Sequence, residues 1–302
     1  MREHLIQIDW MNFRRIGYYI CFALGFIAIN CANSGEPEDL IQDTISEVDT
    51  TLGPPHHKKG FGIVTKSDDW SQKIAKLNVA WHYSWGHELK NDEPDSVEFV
   101  PMIWGAWSDT AAIVSKIEQV IQYKEEGKAK YLLGFNEPDN KDQSNMPVER
   151  AIAYWPKLME AGLPLGSPGC VHADREWMIE FMEEIDRKNY RVDFVCVHWY
   201  GGANAQSIIN HLKKVHELYN KPIWITEFAP ADWNASTAEA SNVTKAKAAN
   251  FMKEILPELD KLDFVHRYAW FSAKTSSPAL GNAALFYSNG NLTPLGKYYR
   301  DY

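Results

Sequence analysis

The sequence predicts a single-domain α/β protein, a (β/α)8 TIM barrel, on three observations. Eight short apolar, β-branched runs recur beyond residue 58. Helical patterns with recognisable ends separate most of them. The stretch Lys58–Tyr302 is 245 residues long, against about 250 for a barrel of this kind. Strands apolar on both faces and joined by helical crossovers form a parallel sheet covered on both sides. An open doubly wound sheet would carry a glycine-rich phosphate turn after its first strand, and Gly60-Phe61-Gly62 lacks the rest of that motif.

The chain divides into residues 1–30, 31–57 and 58–302. Arg14 and Arg15 precede an uncharged stretch, Ile16–Ile29, of 14 residues. That is too short to span a hydrocarbon core of about 30 Å and has the length of a secretory signal's apolar region. Met11 is an alternative start. The stretch ends Ala28-Ile29-Asn30-Cys31, which resembles a bacterial lipoprotein cleavage site with Cys31 as the lipidated residue. The expected location is therefore outside the cytoplasm, at the outer surface or in the periplasm, held by a lipid anchor. Between residues 31 and 57, Glu36, Glu38, Asp39, Asp43, Glu47 and Asp49 sit among Ser, Thr and Pro, the composition of a solvated tether.

The eight runs are Phe61–Val64, Val79–Tyr83, Phe99–Ile103, Tyr131–Phe135, Leu163–Ser167, Phe194–His198, Ile223–Phe228 and Tyr268–Phe271. Ser108 is placed to cap a helix carrying Ile113, Ile117, Val120 and Ile121, with Gly127 as its stop. Pro147 suits a first helical position before Ile152 and Leu158; Gly162 closes that segment and Pro156 should kink it. Asp174 precedes a helix with Trp177, Met178 and Phe181. Ala246–Leu259 is another, and Thr293-Pro294 opens a short terminal one.

Composition narrows the function. With 31 Lys+Arg against 40 Asp+Glu the net charge is −9, and removal of residues 1–30 takes it to −10. Phosphate binding depends on clustered Lys and Arg, so nucleic acid is not the expected partner; a neutral substrate is. Four Cys are too few for a disulfide scaffold, and Cys170 and Cys196 are expected as buried thiols. Aromatics make up 13% of the chain, with 12 Trp, more than a core needs.

In a barrel of this class the strand C-terminal ends build the active site. Glu137 ends the fourth run in Gly134-Phe135-Asn136-Glu137-Pro138-Asp139, and Glu227 ends the seventh in Ile225-Thr226-Glu227-Phe228. These are the only Glu attached directly to a strand end, and the two strands face each other across the mouth. Solvated surface carboxylates are the common fate of Glu, but these two follow apolar runs. A convergent pair is what glycosidic bond cleavage requires: one acid protonates the leaving oxygen and the other carboxylate attacks. Trp81, Trp85, Trp104, Trp107, Trp199, Trp233 and Trp270 lie at or beyond strand ends, where rings can stack on sugar faces. Trp224, Trp155 and Trp177 read as packing residues. Trp199 is divided between lining the mouth and packing outward, because neighbours in a strand point to opposite faces.

The strings Leu133-Gly134-Phe135-Asn136-Glu137-Pro138-Asp139, His198-Trp199-Tyr200, Thr226-Glu227-Phe228, Lys59-Gly60 and Trp81-His82-Tyr83-Ser84-Trp85 resemble glycoside hydrolase family 128 over about Lys58–Tyr302. The resemblance implies a clan A retaining endo-β-1,3-glucanase, with β-1,3-glucan of the laminarin or curdlan type as its partner. By the same resemblance Glu137 is the acid/base and Glu227 the nucleophile. Asn136 would bind the sugar 2-hydroxyl, and His198 or Tyr200 would orient Glu227. Trp81, Tyr83, Trp85 and Trp104 would line the cleft, with Trp270 flooring the subsite beside the cleaved bond. Glu137 is expected to stay protonated and Glu227 charged, since nearby carboxylates push their pKa values apart. No cofactor is expected. No metal is expected either: His56-His57, His172 and His198 lack a His-x-His after the first strand. A monomer is expected. The competing readings are the same chemistry on β-1,4-mannan or xylan, and a surface glycan-binding protein without catalysis. Closure of the loops Asn204–Ser207 and Asp232–Asn242 would set endo or exo action.

Overall fold

The structure is a computed structural model that describes residues 56–107 and 110–302. The segments expected as export signal and tether, up to residue 55, the expected lipidation site Cys31 and the expected cap Ser108 lie outside the described residues. The elements run β1 (Lys59–Gly62), α1 (Trp70–Lys76), β2 (Trp81–Tyr83), β3 (Glu98–Phe99), α2 (Thr110–Glu125), α3 (Val148–Met159), α4 (Glu176–Arg187), β4 (Val195–Trp199), α5 (Ala205–Tyr219), β5 (Ile223–Phe228), α6 (Lys245–Lys261), β6 (Val265–Phe271) and α7 (Pro294–Asp301).

The strands form one parallel sheet in the order β3-β2-β1-β6-β5-β4. The predicted α/β class is what the chain adopts. Six of the eight predicted runs make regular strands. The other two, around residues 131–136 and 163–170, lie between the sheet's edges and pair through isolated parallel bridges: Met102 with Leu133, Leu132 with Leu165, and Gly166 with Phe194. Proline explains the interruption. Pro101 and Pro164 accept backbone bonds from Leu133 and Leu132 at 2.9 and 3.0 Å, and Ile103 and Gly166 return them at 3.1 and 2.9 Å; having no N–H, neither proline can extend its ladder toward the start of the run.

Alternation along the strands sorts side chains into two cores. Trp81, Tyr83, Val100, Met102, Leu133, Phe194, Cys196, Trp224 and Ala269 make a cluster drawn from the sheet runs alone. The larger core joins the opposite face to the helices through stripes such as Ile113, Ile117 and Val120 on α2 and Met178, Phe181 and Ile185 on α4. Trp81 fits inside because β1 offers glycine: a Cβ on Gly60 would lie 2.3 Å from its ring. Below Trp81 the sheet interior is closed by Arg267. Its guanidinium lies 4.4 Å from the Trp224 ring centre and 4.6 Å from that of Tyr131, and it bonds both oxygens of Glu98 at 3.0 Å. Lys59 is buried beneath β1, where its ammonium donates to the Tyr299 and Arg300 carbonyls that end α7. Burial pulls its pKa down to about 8.

Helix boundaries follow side-chain caps. Thr293 accepts from the Gly296 N–H, Thr244 from Lys247 and Asn204 from Ser207, each a contact worth about 1 kcal/mol. Asn204–Ser207 is therefore the start of α5 and not a free loop. Pro147 precedes α3 as its cap rather than occupying the first turn, and α3 continues through Pro156.

Candidate active site

Irregularities in the sheet sit where the site is built. Between β4 and β5 the register runs from Val197–Ile225 to His198–Glu227, leaving Thr226 as an extra residue on β5. Without that bulge Glu227 would share the face of Ile223 and Ile225, which pack toward the helices. The inserted residue turns the carboxylate inward. On the fourth run Glu137 itself adopts φ 40°, the left-handed region that a side chain seldom occupies. Such strain is kept only where the surroundings enforce it. Here Glu137 donates its N–H to the Gly169 carbonyl at 2.7 Å, and the Asn136 N–H bonds the Trp104 carbonyl at 2.9 Å.

The two carboxylates converge on His198. Its Nδ1 is 2.9 Å from Glu137 Oε1 and 3.6 Å from Glu227 Oε2. One oxygen of each Glu and a ring nitrogen of His198 all lie within 4.8 Å of one another. Glu137 Oε2 also accepts from Asn140 Nδ2 at 2.9 Å. Glu227 Oε1 accepts from the Trp85 indole at 2.7 Å and from Tyr83 at 3.3 Å, and Tyr200 donates to Oε2. Tyr200 is thus the direct partner of Glu227, and His198 is bonded to Glu137. Close packing leaves no slack: a Cβ on Gly169 would lie 2.7 Å from His198 Nε2.

The electrostatics follow from burial and contact. Burial pulls the His198 pKa down, but the Glu227 charge and the bond to Glu137 outweigh it, so the imidazole titrates above its ordinary range. Burial pushes Glu137 up, and the His198 bond, the His198 charge and Asn140 outweigh that in turn, leaving it below the usual carboxylate range. These directions favour a proton on His198 over one on Glu137, whereas the sequence expectation places it on Glu137. Burial, then the Glu227 charge, drives Tyr83 and Tyr200 well up; both remain protonated donors. Glu137, His198 and Glu227 have the donor types of a metal centre. The carboxylate lone pairs are instead met by indole and phenol donors from Trp85 and Tyr200 on Glu227 and by the Asn140 amide on Glu137.

Residues 60–299 match the family described as glycosyl hydrolase catalytic core. A solved endo-β-1,3-glucanase of glycoside hydrolase family 128, subgroup I, from Amycolatopsis mediterranei, in complex with laminaritriose, is 32% identical; the match covers 81% of this chain and 99% of that one, with a TM-score of 0.68. The chain belongs to glycoside hydrolase family 128. A curdlan-specific exo-β-1,3-glucanase of subgroup III from Blastomyces gilchristii, in complex with glucose, is 26% identical, covering 83% of this chain and 100% of that chain at a TM-score of 0.64. Alkali-sensitive linkage protein 1 of Schizosaccharomyces pombe is 32% identical over 255 residues, 80% of this chain and 44% of that protein. The family 128 chain thus spans less than half the length of that curated relative.

The aromatic residues of the family 128 site divide differently from the sequence expectation. Trp85 and Trp104 are half-buried beside the interior cluster, and Tyr83 is buried with its hydroxyl shared between Glu227 and the Thr226 carbonyl. Trp81 is fully buried and donates to the Lys58 carbonyl, so it offers no face to a sugar. Trp270 is also fully buried, on the helix side of β6, edge-on to Phe228 and bonded to the Ala283 carbonyl. Alternation puts the next residue, Phe271, at the mouth, with its ring centre 5.8 Å from that of Trp85 and 5.3 Å from that of Tyr200. Trp199 stacks outward on Phe251. Trp107 and Trp233 stand on the rim, 51% and 59% exposed, and the Trp233 indole donates to the Tyr200 carbonyl. Asn136 is buried, and its Oδ1 has no hydrogen-bond partner among the described residues. Cys170 and Cys196 are buried free thiols. Asn140 and Phe271 are the site residues that motif reading passed over. Asn140 stands three residues after Glu137, and Phe271 was one alternation step away from the residue chosen.

Proposed function

We propose that the chain is a retaining endo-β-1,3-glucanase acting by double displacement. The observation that carries this is the convergence of Glu137 and Glu227, with one oxygen of each lying within a 4.8 Å cluster. Retaining enzymes hold their carboxyl groups about 5–5.5 Å apart, whereas inverting ones leave about 6.5–9.5 Å for a water. The kinship at 32% identity with an endo-acting β-1,3-glucanase supports the linkage and the mode of action.

In the first step Glu227 attacks the anomeric carbon while the bond to the leaving oxygen breaks, and that oxygen takes a proton from Glu137. The proton reaches Glu137 from His198 Nδ1, 2.9 Å away. In the second step Glu137 takes a proton from water, the water oxygen bonds the anomeric carbon, and the electron pair returns to Glu227. Tyr200 and Trp85 hold Glu227 in line. Asn136, whose buried Oδ1 has no partner among the described residues, receives the sugar 2-hydroxyl, a contact that strengthens in the transition state. The exposed rings of Trp107 and Trp233 extend the cleft along the glucan.

Laminarin, β-1,4-mannan and xylan digested in parallel test the proposal. Laminarin should release a ladder of oligosaccharides and the other two nothing. Glu137→Gln should lower kcat at least about a hundredfold, the ordinary contribution of a general acid, and Glu227→Gln further, with both variants folded. Laminarin bound without release of reducing ends would make the protein a glycan-binding one. Glucose as the sole early product would make it exo-acting.

A further inference from the structure

Trp85 stands apart from the other aromatics of the mouth. It is a bulky residue at φ 55°, a conformation in which side chains are genuine outliers. Its indole N–H has one hydrogen, and that hydrogen points at Glu227 Oε1 at 2.7 Å. The neighbouring donor to the same oxygen, Tyr83, is longer at 3.3 Å and divides its single hydrogen with the Thr226 carbonyl at 3.0 Å. The ring is wedged edge-on to Phe271 and tilted on Tyr83, with a centroid separation of 4.9 Å. β1 makes room for it: a Cβ on Gly62 would lie 3.1 Å from Trp85 Cη2 and 2.9 Å from Tyr83. Strained backbone, wedged ring and missing Cβ all serve to hold one N–H against one carboxylate oxygen.

We infer that Trp85 is a positioning residue that makes Glu227 a good leaving group, hastening hydrolysis of the glycosyl-enzyme. This rests on the double-displacement reading above. A hydrogen bond to a charged acceptor is roughly twice as strong as one to a neutral acceptor. The indole N–H therefore favours free Glu227 carboxylate over the glycosyl ester. When the bond between the anomeric carbon and the Glu227 oxygen breaks, its electron pair returns to a carboxylate that Trp85 is already placed to stabilise, while water supplies the new bond and gives its proton to Glu137. Loss of the N–H slows that second step and lets the ester accumulate, so kcat and KM fall together.

The test uses 2-deoxy-2-fluoro-β-laminaribiosyl fluoride, whose fluoride departs without protonation by Glu137. The label is located by mass spectrometry, and reactivation is followed after excess reagent is removed. Wild type and Trp85→Phe should both carry the label on Glu227, with Trp85→Phe reactivating at least tenfold more slowly and showing lower kcat and KM on laminarin. Replacement of the Trp85 indole by its benzothiophene analogue keeps the shape and deletes only the N–H, and should show the same slow reactivation. Reactivation of that analogue within twofold of wild type overturns the inference, whatever Trp85→Phe does. So does a KM that rises at unchanged reactivation, which would make Trp85 a sugar contact. A wild type that never labels at Glu227 overturns the catalytic reading and this inference with it.

Discussion

At the residue scale the site is organised around a proton. His198 is 2% exposed, bonds Glu137, and has no hydrogen-bond partner at Nε2 among the described residues, so its productive direction is toward the carboxylates. The pair must hold one proton between them for Glu137 to act as an acid. That proton is lost as pH rises through the His198 pKa, which lies above the ordinary 6.5, so the alkaline limb of kcat/KM should lie above 6.5. In His198→Asn the limb should move toward acid, because a carboxyl then holds the proton without the imidazole. The same variant should lose about a hundredfold in kcat/KM, in the range of general acid–base contributions. A pH–rate profile of wild type and variant on laminarin checks both, and an unmoved limb would remove His198 from the proton path. Such a limb belongs to the coupled pair and not to one residue. The sequence names His198 and Tyr200 as alternative partners of Glu227; the structure bonds Tyr200 to Glu227 and His198 to Glu137. The strand order in the chain names the neighbours of a side chain without saying which of two oxygens its ring nitrogen meets.

At the scale of elements, alternation and its interruptions decide which aromatics serve the cleft. β6 sends Ala269 and Phe271 inward and Trp270 toward α6, where it packs 6.2 Å from Phe251. Trp270→Ala should cost about 3–5 kcal/mol, the range for a buried aromatic cut to Ala, with kcat/KM unchanged in the folded fraction. Phe271→Ala should lower kcat/KM with a smaller loss of stability, since it loosens the rings that hold Glu227. Denaturant unfolding and laminarin kinetics of the two variants separate these outcomes, and a Trp270→Ala that loses activity at full stability would reverse the assignment. Alternation was readable from the sequence, and the stacking of Trp199 on Phe251 shows that it points outward. The Thr226 bulge was not readable. Nothing in Ile225-Thr226-Glu227 marks an extra residue, which arises from how β5 meets β4. Glu137 and Glu227 were legible as candidates because no other Glu stands directly at the end of an apolar run; the inward direction of Glu227 is a property of the pairing.

At the scale of the whole molecule, the order of eight runs and their helices was legible because apolar runs and caps are local signals. The weak pairing of the fourth and fifth runs was not, since it depends on where Pro101 and Pro164 fall opposite their neighbours. α5 was passed over although Asn204 caps it. That error turned the first turn of a helix into a cleft loop. The loop that does flank the cleft, Asp232–Asn242, is tied at its ends, with the Asp232 carboxylate accepting from the Asn234 and Asn242 N–H groups. What the assembled molecule does with its two carboxylates is read most directly by NMR of a laminarin digest in its first minutes. Glu137 and Glu227 at this separation should release new reducing ends as the β-anomer, with α appearing later by mutarotation. Ends released first as the α-anomer would mean that a water attacks and that no bond to Glu227 ever forms.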